Sequence, residues 1–87
     1  MFDLVIRGAD IVTAGGVARA DLGIAGGRVA QIGGDLAGAR EIDATGKLLL
    51  PGGVDAHVHL SSPSEFGDGP RWVDDFTSGS AAALAGG

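Results

Sequence analysis

Two histidines stand two residues apart in the apolar run Val54-Asp55-Ala56-His57-Val58-His59-Leu60. On a strand, residues i and i+2 point to one face. His57 and His59 would then present two imidazoles side by side, an arrangement that chelates one metal ion. Burying two imidazoles without partners costs roughly 1–3 kcal/mol each, and a shared metal would satisfy both. Two buried structural histidines are the plainer reading, but the pair ends an apolar run just before a polar loop. Two nitrogens alone hold a catalytic zinc weakly, because three protein ligands plus water is the usual set.

Asp55 shares the face of the histidines, either orienting an imidazole from behind or stacking in the interior as a structural residue. Asp74 and Asp75 are adjacent carboxylates at the start of a predicted helix, where they favour the positive end of the dipole. Lys47 is the sole lysine and reads as a solvated strand residue, and Glu65 and Asp68 as solvated loop residues.

The elements that position these side chains fall into two regimes. Up to about residue 50, short strand-like pieces alternate with glycine turns. Leu4-Val5-Ile6 and Ile11-Val12 flank Gly8-Ala9-Asp10. Gly15-Gly16, Gly26-Gly27 and Gly33-Gly34 mark further turns, which suggests a small all-β unit of antiparallel hairpins. None of these glycines belongs to a G-x-x-x-x-G-K-[ST] loop or to a G-x-G-x-x-G opening a helix, so they are turns rather than phosphate cradles. From Pro51 onward, Val54–Leu60 reads as a strand buried on both faces. Residues 61–71 read as a polar loop, and Trp72 to about Ala85 as a helix, with Trp72, Phe76, Ala83 and Leu84 at helical spacing. Strand, loop and helix together form the first unit of a βα-barrel, whose chemistry sits at the C-terminal ends of its strands.

Composition narrows the class. Eighty-seven residues, 45% apolar, allow one small domain with marginal burial. Without cysteine there is neither disulfide nor thiolate metal site. The formal net charge of −5 and the absence of a Lys/Arg cluster argue against a nucleic-acid surface. No stretch nears the roughly 18 apolar residues of a membrane span. The opening Met1-Phe2-Asp3-Leu4-Val5-Ile6-Arg7 lacks the pattern of a signal peptide. A cytoplasmic protein is expected.

The whole chain resembles the N-terminal part of the amidohydrolase superfamily, specifically its dihydropyrimidinase and hydantoinase branch. Three stretches carry the resemblance. Asp3 to Val12 looks like the family's first strand, Gly26-Gly27-Arg28-Val29-Ala30-Gln31-Ile32-Gly33 like its next signature, and Ile42 to Leu60 like the entry into the barrel. Asp74-Asp75-Phe76, followed by Gly79-Ser80-Ala81-Ala82-Ala83-Leu84-Ala85-Gly86-Gly87, is similar to the dihydropyrimidinase and hydantoinase version more than to those of dihydroorotases or allantoinases. Ser80 stands in place of the usual threonine.

The resemblance implies a fold and a chemistry. Residues 1–50 would be part of a composite β-sandwich, and residues 51–87 the first βα unit of a (β/α)8 barrel. His57 and His59 would be ligands of a binuclear divalent metal centre, usually zinc. A carbamylated lysine, two more histidines and an aspartate would come from later strands. The metals would serve as Lewis acid and as source of hydroxide near neutral pH. The substrate would be a small cyclic amide or ureide, opened to an N-carbamoyl amino acid, and the whole protein a homo-oligomer such as a tetramer. The loop before the helix would gate the substrate, with Phe66 and Trp72 as its apolar candidates; the alternative is that both simply anchor it.

No lysine follows His59 and no third histidine occurs, while a barrel needs about 250 residues. The expectation is therefore a fragment of a cyclic amidohydrolase, inactive alone. The competing expectation is a naturally short, non-catalytic β-domain.

Overall fold

The computed structural model describes residues 1–61 and 72–87. The chain divides into two compact units, Met1–Pro51 and Gly52–Gly87. Among the described residues, no helix is long and apolar enough to cross a membrane.

The first unit is an open mixed sheet. Its strands are β1 (Phe2–Thr13), β2 (Gly16–Ala25), β3 (Arg28–Ile32), β4 (Gly38–Asp43) and the short β5 (Leu48–Leu49). The order is β3-β2-β1-β4, and β5 also pairs with β1. The glycine turns fall where the sequence puts them. Gly26 and Gly27, at φ 58° and 72°, form the two-residue link between β2 and β3, the left-handed pair that a tight hairpin of type I′ requires.

Two sequence expectations fail here. Gly8-Ala9-Asp10 is not a turn, because β1 runs through it. The register against β2 shifts between Ile6 and Ala9, and Gly8 has φ 72°. This bulge has a packing purpose. Five positions apart, Ile6 and Ile11 would face opposite sides of a regular strand; one extra residue returns them to one side. Both pack in the same cluster with Ala9, Leu22 and Ala44. The unit is also not purely antiparallel, since β4 and β5 run parallel to β1. The central strand thus pairs antiparallel with β2 on one edge and parallel with β4 and β5 on the other.

The bulge leaves backbone polar groups off the ladder, and these need other partners. Asp21 supplies one: its Oδ1 accepts from the Gly8 N–H at 2.8 Å. Its Oδ2 accepts from Arg7 Nη1 at 2.9 Å, while Arg7 Nη2 donates to the Leu36 carbonyl at 2.6 Å and to Glu41. One guanidinium therefore ties β1, β2 and β4, as its planar fork of donors allows. The apolar face of the sheet carries an open groove of about 230 Å³ lined by Ile6, Ile11, Leu22, Ile24, Val29 and Leu49. One face is thus covered only in part, as in half of a sandwich.

Among the described residues, the second unit holds one helix, α1 (Phe76–Gly86). It starts four residues later than its apolar spacing predicts. The reason is capping: Asp75 has extended backbone, and its side chain accepts from the Ser78 N–H at 2.7 Å. Ser78 Oγ in return accepts from the Asp75 N–H at 3.1 Å. This reciprocal box fixes the first turn and excludes Trp72–Asp74 from the helix. Val54–Leu60 forms no strand. A strand is defined by its ladder, and among the described residues this segment has no strand beside it. An open mixed sheet followed by one helix is the architecture that results.

Candidate functional site

The histidine segment is held by short local contacts rather than by a sheet. Asp55 Oδ1 accepts from the backbone N–H of His57 at 3.1 Å, a turn that aspartate favours. Asp55 thus shapes the backbone that carries His57, and its recorded contact is with the main chain rather than with either imidazole.

The imidazoles converge without the strand. His57 Nε2 and His59 Nε2 lie 3.0 Å apart, and the ring centroids are 4.9 Å apart with planes at 61°. Two neutral imidazoles meeting nitrogen to nitrogen need one donor and one acceptor tautomer. The same convergence suits a shared cation. Nitrogens about 2.0–2.1 Å from one zinc ion in a tetrahedral site stand roughly 3.3 Å apart, close to the separation here. The pair fits two of a metal's ligands. Among the described residues, no group of three His, Cys, Asp or Glu is placed to hold a metal ion, so a third ligand is not found there.

Trp72 joins this pair. Its ring lies 4.3 Å from that of His59, tilted by 35°. The main chain on either side is stitched together: the Ser61 N–H donates to the Asp74 carbonyl at 2.9 Å, and Ser61 Oγ donates to the Trp72 carbonyl at 3.2 Å. Sequence reasoning missed Ser61, and nothing in its type or spacing signals a role. Phe66, the other apolar candidate, lies outside the described residues.

A cavity of about 460 Å³ opens beside His59, lined among others by Asp55, Val58, Leu60, Asp74 and Phe76. Polar groups and apolar walls together are the usual make-up of a small-molecule site. Between the lining residues Asp74 and Phe76, Asp75 has its carboxyl held below the usual range by the Ser78 N–H and hydroxyl. Asp74 Oδ1 accepts from Ser78 Oγ at 3.0 Å. Both carboxylates are therefore engaged at the helix start, as their position in the sequence suggests.

No family model matches the chain. Individual relatives do. An allantoinase of Rubrobacter xylanophilus is 47% identical over 99% of this chain and 18% of its own length. A D-hydantoinase of Ralstonia pickettii is 44% identical over 98% of this chain and 18% of its own length. The dihydropyrimidinase of Rattus norvegicus is 43% identical over 97% and 17%. Among solved structures, the L-hydantoinase (dihydropyrimidinase) from Arthrobacter aurescens superposes with a TM-score of 0.65 at 37% identity, over 72% of this chain and 15% of that one.

The chain belongs to the amidohydrolase superfamily, in its dihydropyrimidinase, hydantoinase and allantoinase branch. It spans about 18% of the length of the curated relatives it matches, an N-terminal portion of them. The family is one of cyclic amidohydrolases. Allantoinases match it as well as hydantoinases do, so identity over the whole chain does not separate those activities.

Proposed function

We propose that these 87 residues are the metal-binding entrance of a zinc-dependent hydrolase that opens the ring amide of hydantoins or dihydropyrimidines to N-carbamoyl amino acids. The observation that carries the reading is the 3.0 Å approach of the two Nε2 atoms in a chain of this family. His57 and His59 hold the more buried metal of a binuclear centre from one side. Zinc, when bound, supplies Lewis acidity and a water ionised near neutral pH. Asp55 fixes the backbone turn that aims His57, and Phe66 and Trp72 belong to a loop that gates the substrate. In the whole protein, residues 1–50 form part of a composite sandwich and residues 51–87 the first βα unit of the barrel, where Val54–Leu60 gains the neighbouring strands it lacks among the described residues.

The remaining ligands, the bridging carbamylated lysine among them, belong to the whole protein, and ring opening is a property of that protein rather than of these 87 residues alone. The family resemblance extends the proposal to a cytoplasmic homo-tetramer. The test is turnover of hydantoin, dihydrouracil, allantoin and dihydroorotate by the zinc-loaded whole gene product. Opening of hydantoin or dihydrouracil supports the reading. Opening of allantoin or dihydroorotate alone moves the protein to a sister activity, and opening of none overturns the enzymatic reading.

A further inference from the structure

We infer that Trp72 is a positioning residue for His59, holding that imidazole for metal binding. The inference rests on the reading of His57 and His59 as metal ligands, and it adds a residue to that site.

The geometry carries it. A metal-bound imidazole must keep both its nitrogen direction and its ring plane, and ligand histidines are usually steadied by a second group. That group is commonly a hydrogen-bond acceptor on the other ring nitrogen. Here the Nε2 of His59 meets that of His57, and among the described residues the indole of Trp72 is the other aromatic ring against it. The indole lies 4.3 Å away, centroid to centroid, at a tilt of 35°, a contact slightly closer than the about 4.5–7 Å of favourable aromatic pairs. Contact with a ring face limits rotation of the imidazole while leaving its nitrogen free.

The indole is itself placed by main-chain bonds. Ser61, two residues after His59, donates from Oγ to the Trp72 carbonyl and from N–H to the Asp74 carbonyl. The ligand and its support therefore sit on two short segments tied to one another. Trp72 is 53% exposed, so burial in a core does not explain its position. About half of the residue is covered, and among the described residues the imidazole of His59 is its aromatic partner.

The chain has two histidines and one tryptophan, so their ring signals are assignable by NMR in the 87-residue chain. The probe is Zn²⁺ alone, titrated into the wild-type chain, Trp72→Phe and Trp72→Leu, with the amide spectrum of the sheet as the check on folding. Without metal, the His59 ring protons are expected to show a ring-current displacement that Trp72→Leu removes and Trp72→Phe retains in part. With metal, both histidines respond, and Trp72→Leu weakens Zn²⁺ binding about tenfold while Trp72→Phe restores it.

Equal Zn²⁺ affinity in the wild type and Trp72→Leu overturns the role of Trp72 and leaves the two-histidine reading standing. Unchanged zinc content of the folded whole gene product carrying His57→Ala and His59→Ala overturns both. Absence of the ring-current displacement removes the contact itself.

Discussion

Arg7 and Asp21 meet across β1 and β2, with Nη1 2.9 Å from Oδ2. The contact sits on the bulge that brings Ile6 and Ile11 to one face, and Asp21 also takes up the Gly8 N–H. Arg7 reaches Glu41 and the Leu36 carbonyl as well. Arg19 and Asp10 form a single pair, with the Arg19 side chain 70% exposed, and exposed pairs of that kind contribute little. Arg7→Ala is therefore expected to lower the Tm of the sheet more than Arg19→Ala. Arg7→Lys should recover only part of the loss, because one ammonium cannot reproduce the fork. Thermal unfolding followed by circular dichroism decides it, and equal effects of the two alanine variants would contradict the account.

The same network sets an acid limit. Hydrogen bonding to Arg7 holds the Glu41 carboxyl below the usual carboxylate range, and the Thr45 hydroxyl and N–H do the same for Asp43. A carboxyl depressed in the folded state adds stability that is complete above its unfolded pKa and is lost as pH falls through its folded one. Stability should therefore be insensitive to these groups near neutral pH and decline below the ordinary carboxylate range. Glu41→Gln should flatten part of that decline, which Tm measured as a function of pH will show. An acid limb of unchanged slope in Glu41→Gln would count against the network.

Gly38 opens β4 where no side chain fits. A Cβ there would lie 2.8 Å from Val5 Cγ2 and 2.9 Å from the Arg40 carbonyl oxygen, and Val5 is fully buried. Gly38→Ala should cost about 1–3 kcal/mol, as overpacking does. Gly15→Ala is the control, since its Cβ would meet only Thr13 Oγ1 at 3.8 Å. Chemical denaturation of the two variants separates them. Similar midpoints would mean that β4 is not held against β1 as described.

The Gly26-Gly27 pair made its hairpin legible, because two successive left-handed residues leave few alternatives to a tight turn. The lone Gly8 was not legible. A single glycine marks a bulge as readily as a turn, and only the shared packing of Ile6 and Ile11 distinguishes them. Parallel pairing of β4 and β5 also escaped, since their short apolar pieces carry no sign of direction. At the site, the His-x-His spacing gave the convergence of the rings but attributed it to a strand. The convergence is kept by a local turn at Asp55 instead. Trp72 was legible as an apolar candidate near the site, though its spacing placed it in the helix. Its contact with His59 was not, because thirteen positions separate them and Ser61, which ties the two segments, has no sequence signature.

Helix α1 depends on its cap. It has eleven residues, none of them buried, and isolated helices of that length are marginal in water. Asp75→Ala removes the acceptor for the Ser78 N–H and should lower helicity and amide protection over the first turn. Asp75→Asn and Asp75→Ser keep an acceptor and should preserve most of it. Amide hydrogen exchange over residues 76–80 measures the effect, and unchanged protection in Asp75→Ala would show that the box is dispensable.

The central claim is that His57 and His59 bind the metal that a cyclic amidohydrolase uses. The most direct measurement is zinc content and hydantoin or dihydrouracil turnover of the whole gene product carrying His57→Ala and His59→Ala together. The account predicts that the double variant retains less zinc than the wild type and loses ring opening, with the protein still folded. A folded double variant that keeps wild-type zinc and opens the ring at the wild-type rate would contradict it.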